Sequence, residues 1–109
     1  MYIPDKGDVV WFNFDPSTGR EIMKRRPAFV ISRKEFNKHT GFAIVAPITS
    51  TARGMKLEVI LPEEMTTDGS VLIHQIKSLD FENRQIELIE KAPVAVAEKV
   101  TELAAIIIQ

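Results

Sequence analysis

Apolar and polar residues alternate along most of this chain in short segments with the two-residue period of β-strands. In "VVWFNF", Val10, Phe12 and Phe14 alternate with the other three residues, and "KLEVIL" shows the same period. Turn sequences rich in Gly, Pro, Thr and Asp separate such segments. We predict about six strands, in the segments 9–14, 28–32, 42–48, 56–61, 70–76 and 84–89.

The connections between these segments are too short for helical crossovers, so we expect a mainly antiparallel sheet that curls into a small barrel or half-barrel. After Pro93 the period changes. Val96, Val100, Leu103 and Ile107 recur at helical spacing and predict one C-terminal helix that covers the sheet. With 109 residues, we expect a single domain over residues 1–109, built on one core.

The composition narrows the possible chemistry. The chain contains no cysteine, which excludes disulfides, a thiol nucleophile and thiolate metal sites. Its two histidines, His39 and His74, are far apart and have no neighbouring carboxylate at ligand spacing, so we expect no metal and no other cofactor. No targeting signal opens the sequence, and its apolar runs are too short to cross a bilayer. We therefore expect a cytoplasmic protein without membrane contact.

Charge is concentrated in one segment. The net charge is −1, but residues 20–38 contain seven Lys or Arg against two Glu, a local charge of +5. A basic patch on an acidic body can bind an anion while the rest of the surface resists unspecific binding. Charge alone leaves open the alternative of a solvated loop.

Inside this segment, "RRPAFV" sets Arg26 directly before Pro27. Proline lacks the backbone N–H of a sheet ladder, so we expect Pro27 at the first position of its strand, with Arg26 held at the strand entrance. Arg26 could also protect a sheet edge from aggregation, and Glu21 could pair with a nearby arginine.

Two further segments place polar side chains at strand positions. In "APITSTARG", Thr49 ends a strand and Arg53 follows, although such hydroxyls often bond to the local backbone of a turn. In "LIHQIKS", we expect Gln75 and Lys77 on one face of a strand and His74 on the other. His74 could equally be a partly buried side chain with internal partners.

The stretches "PDKGDVVWFNFDPSTGREIMKRRPAFVIS", "VAPITS" and "HQIKSLD" together resemble the MazF/PemK (Kid) family of toxin endoribonucleases from type II toxin–antitoxin systems. The resemblance covers nearly the whole chain. It implies a small SH3-like antiparallel barrel of about six to seven strands with a C-terminal α-helix, and a homodimer. It also implies sequence-specific, metal-independent cleavage of single-stranded mRNA, and an antitoxin whose acidic, flexible C-terminal segment occupies the RNA groove.

By resemblance, the essential arginine of the family corresponds to Arg26, its threonine to Thr49 and its loop glutamate to Glu21. Relatives commonly have Gly at the position of Lys24. Because that change removes a residue that tolerates positive φ, we expect the loop to take another path. Several relatives have Asp where this chain has His74.

Metal-free RNA cleavage needs the 2′-hydroxyl deprotonated, the charge on the phosphorus-centred transition state neutralised and the leaving 5′-oxygen protonated. We assign charge stabilisation to Arg26 and Thr49. A guanidinium is poorly matched to proton transfer near neutrality, so the base and acid are left to Glu21 or His74. The residues expected to contact RNA are Arg20, Lys24, Arg25, Asn37, Arg53, Gln75 and Lys77.

Two other functions remain possible. A toxin with the same barrel could bind and poison DNA gyrase without catalysis, because fold does not determine function. A regulatory RNA-binding barrel would retain the basic patch without turnover, but such proteins use exposed aromatic residues for stacking. Most aromatic residues here fall on strand positions predicted to be buried.

Overall fold

The structure is a computed structural model, and it describes residues 1–14, 24–51, 54 and 56–109. Within them, seven strands, two α-helices and one 3-10 turn follow one another along the chain. In order, they are β1 (Asp8–Asn13), β2 (Arg25–Val30), α1 (Lys34–Thr40), β3 (Phe42–Thr49), β4 (Glu58–Ile60), β5 (Ser70–Leu72), the 3-10 turn (Ile73–Gln75), β6 (Lys77–Asp80), β7 (Glu87–Lys91) and α2 (Val94–Ile108).

The strands form one sheet with the order β4-β5-β3-β2-β1-β7, and β6 pairs with β3 beside β5. Every pairing between the described strands is antiparallel. The prediction of a mainly β, barrel-like fold with a C-terminal helix is therefore confirmed, with seven strands in a sheet that is not fully closed.

The two edges of β3 explain how the sheet bends. One edge pairs with β2, while the other pairs with β6 near Phe42 and with β5 near Thr49. The 3-10 turn between β5 and β6 shifts the register between these two pairings. The prediction of one continuous strand over residues 70–76 was wrong, because the chain turns at Ile73–Gln75 and resumes as β6.

Side chains pack against both faces of the sheet. One face packs under α2, where Val9, Phe29 and Ile48 meet the buried Val100. The opposite face carries Val10, Phe12, Ala28 and Val45 with Phe14 and Phe81, and we call it the inner face. Because residues alternate along a strand, each of β1, β2 and β3 contributes to both cores.

Helix α2 follows the predicted stripe only in part. Val100 is fully buried, and Val96 and Leu103 are partly buried against the sheet, but Ile107 is exposed. Helix α1 was not predicted, because its seven residues carry no apolar stripe. It ends at Gly41, whose φ of 76° closes the helix in the left-handed conformation. Neither described helix is long and apolar enough to span a bilayer.

Candidate active site

The start of β2 and the end of β3 meet on the inner face of the sheet. In the β2–β3 register Ala28 is opposite Pro47. Arg26 and Thr49 lie two residues beyond that pair on their own strands, so both project from the same face as Ala28 and Pro47. In the next pairing, Thr49 is opposite Ser70 of β5. Directly opposite residues of an antiparallel pair project from the same face. The three side chains therefore form a row across β2, β3 and β5, which we call the polar row: Arg26, Thr49 and Ser70.

The polar row contains two buried polar atoms without a hydrogen-bond partner among the described residues. They are Nε of Arg26 and Oγ of Ser70, and Ser70 is only 1% exposed. Most buried polar groups in native proteins are bonded, and those that are not need an explanation. Two such donors on either side of Thr49 favour a site whose hydrogen bonds are completed only when an anionic ligand binds.

Thr49 is buried, and its Oγ1 accepts a hydrogen bond of 3.3 Å from the backbone N–H of Thr51. The local turn bond considered from the sequence therefore exists, and it fixes the hydroxyl oxygen at the strand end. The backbone of Thr49 is held from the other side by Gly69. A Cβ on Gly69 would lie 2.1 Å from the carbonyl oxygen of Thr49, and φ of Gly69 is +124°.

Gly69 and Ser70 were both missed by the sequence reasoning. The "DG" in "TTDGS" signalled a turn, and a glycine in such a place also permits close backbone approach. Which backbone comes close to it depends on the pairing of β5 with β3, and this pairing is not visible in the local sequence.

The prediction that Pro27 opens its strand was wrong, since β2 begins at Arg25. The β2–β3 ladder starts only at Ala28, so the missing N–H of Pro27 falls before that ladder. Pro27 pairs instead with Trp11 of β1, while Arg26 pairs with Phe12. Arg26 is thus half-buried beside an aromatic side chain of the inner core.

Lys24 adopts φ of 72°, the left-handed conformation that glycine tolerates best. Its carbonyl oxygen accepts a 3.0 Å hydrogen bond from the N–H of Phe14. Lysine therefore takes the backbone geometry that glycine favours at this position, while the expected change of path concerns residues 15–23, which lie outside the described residues. The bond also closes the base of the loop between Phe14 and Lys24. Glu21 and Arg20 in this loop, and Arg53, lie outside the described residues.

Arg25 is directed to the other face of the sheet from Arg26. Its guanidinium lies 5.3 Å from the ring centroid of Trp11, donates to the carbonyl of Gln85 at 3.2 Å and pairs with Glu87 at 3.1 Å. These intramolecular partners hold the Arg25 guanidinium away from the polar row, and its contact with RNA stays a prediction.

The other predicted residues of this region lie beyond Ser70. Lys77 opens β6 opposite Val45, which places it on the inner face with the polar row. Val45 lies four residues from Thr49 along β3, so Lys77 is about 13 Å from the polar row. Gln75 is half-buried in the 3-10 turn, and His74 is exposed there. The alternative of a partly buried His74 was therefore wrong.

Asn37 does not belong to this site. Its side chain is fully buried, and its Nδ2 donates to the carbonyl oxygens of Pro4 at 2.8 Å and Ser32 at 3.1 Å. Its Oδ1 accepts from Oγ of Ser32 at 2.5 Å. The expectation that Asn37 could contact RNA bases was wrong, because its amide joins α1 to the N-terminal segment and cannot reach a ligand.

Glu90 of β7 anchors the segment that leads to Gly69. Its carboxylate accepts hydrogen bonds from the N–H of Thr66 at 3.0 Å and from the N–H and hydroxyl of Thr67, both at 2.6 Å. Burial acts to raise the pKa of Glu90, but the bonds from Thr67 and Thr66 outweigh it and hold the pKa below its ordinary value of 4.5.

In the described part of the chain, no three His, Asp or Glu side chains converge as ligands of a metal ion would. What the geometry offers is a positively charged, donor-rich row at the end of a β-sheet. Such a row can bind a phosphate group and stabilise added negative charge on it.

Sequence comparison identifies relatives of this chain. The family described as "PemK-like, MazF-like toxin of type II toxin-antitoxin system" matches residues 5–108. The endoribonuclease toxin MazF of Escherichia coli strain K12 is 39% identical over 83 residues, which span 76% of this chain and 74% of that protein.

Structural comparison gives the same family. MazF from Deinococcus radiodurans matches with a TM-score of 0.93 and 38% identity, over 99% of this chain and 98% of that one. The MazE–MazF complex from the same organism matches with a TM-score of 0.87 and 38% identity, over 99% and 97% of the two chains.

Proposed function

Because this chain belongs to the PemK-like, MazF-like toxin family of type II toxin–antitoxin systems, we propose that it is a toxin that cleaves RNA. The substrate is single-stranded mRNA, cut at a specific sequence without a metal ion. The products carry a 2′,3′-cyclic phosphate and a 5′-hydroxyl, and the cleavage inhibits translation in the cytoplasm. Relatives named as endoribonucleases support the reaction class.

The observation that carries this proposal is the buried Nε of Arg26, which lacks a partner among the described residues and lies on the same face as Thr49. A guanidinium presents a planar fork of N–H donors that fits two oxygens of a phosphate. Arg26 is half-buried and its Nε is inaccessible to solvent, which restricts the motion of the fork before substrate arrives. Arg26 therefore neutralises the charge that develops on the phosphorus-centred transition state.

Thr49 supplies a second donor to the same phosphate. Its oxygen is already oriented by the N–H of Thr51, and its backbone is fixed by Gly69. An oriented hydroxyl loses little freedom on binding, so its hydrogen bond strengthens as negative charge accumulates in the transition state.

Proton transfer is assigned to Glu21 and His74. Glu21 belongs to the loop that leaves the inner face at Phe14 and returns at Lys24. His74 is exposed on the 3-10 turn beside β3. A carboxylate and an imidazole can act as base and acid in the two steps, the first on the 2′-hydroxyl and the second on the leaving 5′-oxygen.

Flanking nucleotides extend from the polar row in two directions. Lys24 contacts phosphates on the side where β2 begins. Arg20 and Arg53, which lie outside the described residues, stay expected phosphate contacts. Lys77 and Gln75 contact the nucleotides on the side of β6. Lys77 lies on the inner face together with the polar row. Phosphate contacts position the strand, while an amide such as Gln75 can read a base edge.

Two partners complete the proposal. One is an antitoxin whose acidic, flexible C-terminal segment competes with RNA for the polar row and the basic segment 20–26. A MazE–MazF complex with the same fold supports such a partner. The other is a second copy of this chain in a homodimer. Simultaneous, noncompetitive binding of the antitoxin tail and RNA would contradict a shared binding site. A monomer in light scattering at micromolar concentration would contradict the homodimer.

The function is tested by incubating the purified protein with a long single-stranded RNA in excess chelator and sequencing the fragment ends. We expect cleavage at a short recurrent sequence, with 2′,3′-cyclic phosphate and 5′-hydroxyl ends. RNA that stays intact at high protein excess would overturn the proposal and redirect attention to a noncatalytic toxin that binds DNA gyrase. Binding without cleavage would favour the regulatory alternative, for which exposed Trp11, Phe36 and Phe42 offer more aromatic surface than the sequence predicted.

A further inference from the structure

We propose that Ser70 is a positioning residue that orients the hydroxyl of Thr49 toward the scissile phosphate. The inference rests on the proposed RNA cleavage and adds a residue that the sequence did not indicate. In this arrangement Ser70 never touches the substrate. It donates its hydroxyl proton to Oγ1 of Thr49, and Thr49 then donates its own proton to a phosphate oxygen.

The pairing of β3 with β5 places the two hydroxyls within reach of each other. Thr49 and Ser70 are direct Cα partners, and side chains in such pairs have Cβ atoms about 4.5–5.5 Å apart. Thr–Ser hydrogen bonds are a recognised form of cross-strand pair. A serine hydroxyl needs only rotation about one side-chain bond to aim at its neighbour.

The bonding capacity of Thr49 explains why the interaction matters. A hydroxyl has one proton to donate and two lone pairs that accept. The N–H of Thr51 already occupies one acceptor position on Oγ1. When Ser70 occupies the other, the single proton of Thr49 has to be directed away from both neighbours, toward the phosphate held by Arg26.

The burial of Ser70 is difficult to explain by folding alone. Ser70 is only 1% exposed, and its Oγ has no hydrogen-bond partner among the described residues. A buried hydroxyl without a partner destabilises the folded state, and alanine would remove that cost. A group that is unfavourable in the unliganded protein is expected where ligand binding makes a partner available to it. Here the partner is a lone pair of Thr49 Oγ1, which becomes available once the Thr49 proton turns to the phosphate.

The test compares Ser70→Ala with wild type in steady-state cleavage of a short RNA. We expect kcat to fall about tenfold, as for one lost hydrogen bond in the transition state, with KM unchanged and the thermal midpoint equal or higher. Ser32→Ala is the matched control, because the Ser32 hydroxyl is already bonded to Asn37 and to the N–H of Ile44. It should lower the thermal midpoint and leave kcat unchanged.

A double-mutant cycle separates positioning from simple packing. In a Thr49→Val background, Ser70→Ala should cause no further loss of kcat, because the hydroxyl through which Ser70 acts is gone. Where valine disturbs the fold, Thr49→Ala takes its place. A wild-type kcat for Ser70→Ala, or the same tenfold loss with and without the Thr49 hydroxyl, would overturn the proposal.

A second measurement keeps this inference distinct from the proposed function. Inorganic phosphate is titrated at constant ionic strength while the thermal midpoint is followed. We expect stabilisation of wild type that is weakened alike by Ser70→Ala and Thr49→Val. If wild type fails to cleave RNA, the proposed function is wrong, and unchanged phosphate affinity in Ser70→Ala would then refute the Ser70 assignment as well.

Discussion

Two groups of polar side chains lie within this small fold, and they differ in how their hydrogen bonds are satisfied. Around Asn37, every polar atom of the amide has a protein partner, drawn from Ser32 and Pro4. In the polar row, Nε of Arg26 and Oγ of Ser70 have none among the described residues. Both groups are buried, so burial alone does not distinguish them.

The difference separates a structural role from a functional one. A satisfied network stabilises the fold and has nothing left to offer a ligand, as in the Asn37 cluster. Unsatisfied donors reduce stability in the free protein and become useful when an anion arrives. Mutations in the first group should therefore change stability, and mutations in the second should change activity.

The largest effect is expected from Arg26→Ala. It should reduce kcat by roughly 10²–10³-fold with little change in stability, because it removes a donor used mainly in the transition state. Arg26→Lys should restore little, since an ammonium keeps the charge but loses the fork. Arg33→Ala is the control, an exposed arginine directly before helix α1, and should cleave like wild type. Full activity in Arg26→Lys would show that charge alone suffices.

Asn37→Ala tests the satisfied group. It should lower the free energy of unfolding by about 2–4 kcal/mol, because it opens a cavity and leaves buried backbone carbonyls without donors. Urea denaturation measures this loss, and kcat per folded molecule should not change. The exposed neighbour Lys38 provides the comparison, since Lys38→Ala should leave stability nearly unaltered. A catalytic defect in folded Asn37→Ala would break the distinction between the two groups.

His74→Ala should reduce kcat by about 10²-fold if the imidazole is the general acid. The polar row would then extend beyond β5 to the exposed turn that follows it. Single-turnover cleavage of wild type, His74→Ala and Glu21→Gln measures the two contributions side by side. If His74→Ala cleaves at the wild-type rate, proton transfer rests with Glu21 instead.

Glu90→Gln tests a satisfied group at the edge of the site. The variant cannot accept all three bonds from Thr66 and Thr67, and it should lose about 1 kcal/mol of stability near neutral pH. Because the folded pKa of Glu90 is lowered, its contribution is present above the ordinary value of 4.5 and is lost as pH falls through the folded pKa. Thermal midpoints of wild type and variant should therefore converge in acid. A constant difference at every pH would show that the carboxylate charge is irrelevant.

Lys24→Gly should give the smallest effect. Glycine tolerates the positive φ of this residue, so the fold should gain up to about 1 kcal/mol in chemical denaturation. The lost ammonium should raise KM slightly, and more at low salt than at high salt. Lys34→Gly, in helix α1, should destabilise instead because its backbone is helical.

The sequence predicted the fold class well because its signals are local. Alternating residues in 9–14 and the apolar run 42–48 indicated β1 and β3, and the helical spacing after Pro93 indicated α2. The short helix α1 and the break at Ile73–Gln75 were missed. The seven residues of α1 are too few to show a helical period. The segment around Ile73–Gln75 is mostly apolar and resembles a strand, and its turn follows only from the pairing of β5 and β6 with β3.

For the site, the sequence by itself determined the chemistry that is available: an arginine before a proline, a threonine at a strand end, a basic segment and no cysteine. Only the tertiary structure decided which of these groups meet. The β2–β3 and β3–β5 registers align Arg26, Thr49 and Ser70, and they turn Arg25 away. The physical reason is that strand partners and hydrogen-bond partners are residues distant in the chain. The unpartnered donors of the polar row and the fully bonded amide of Asn37 therefore cannot be told apart from the sequence.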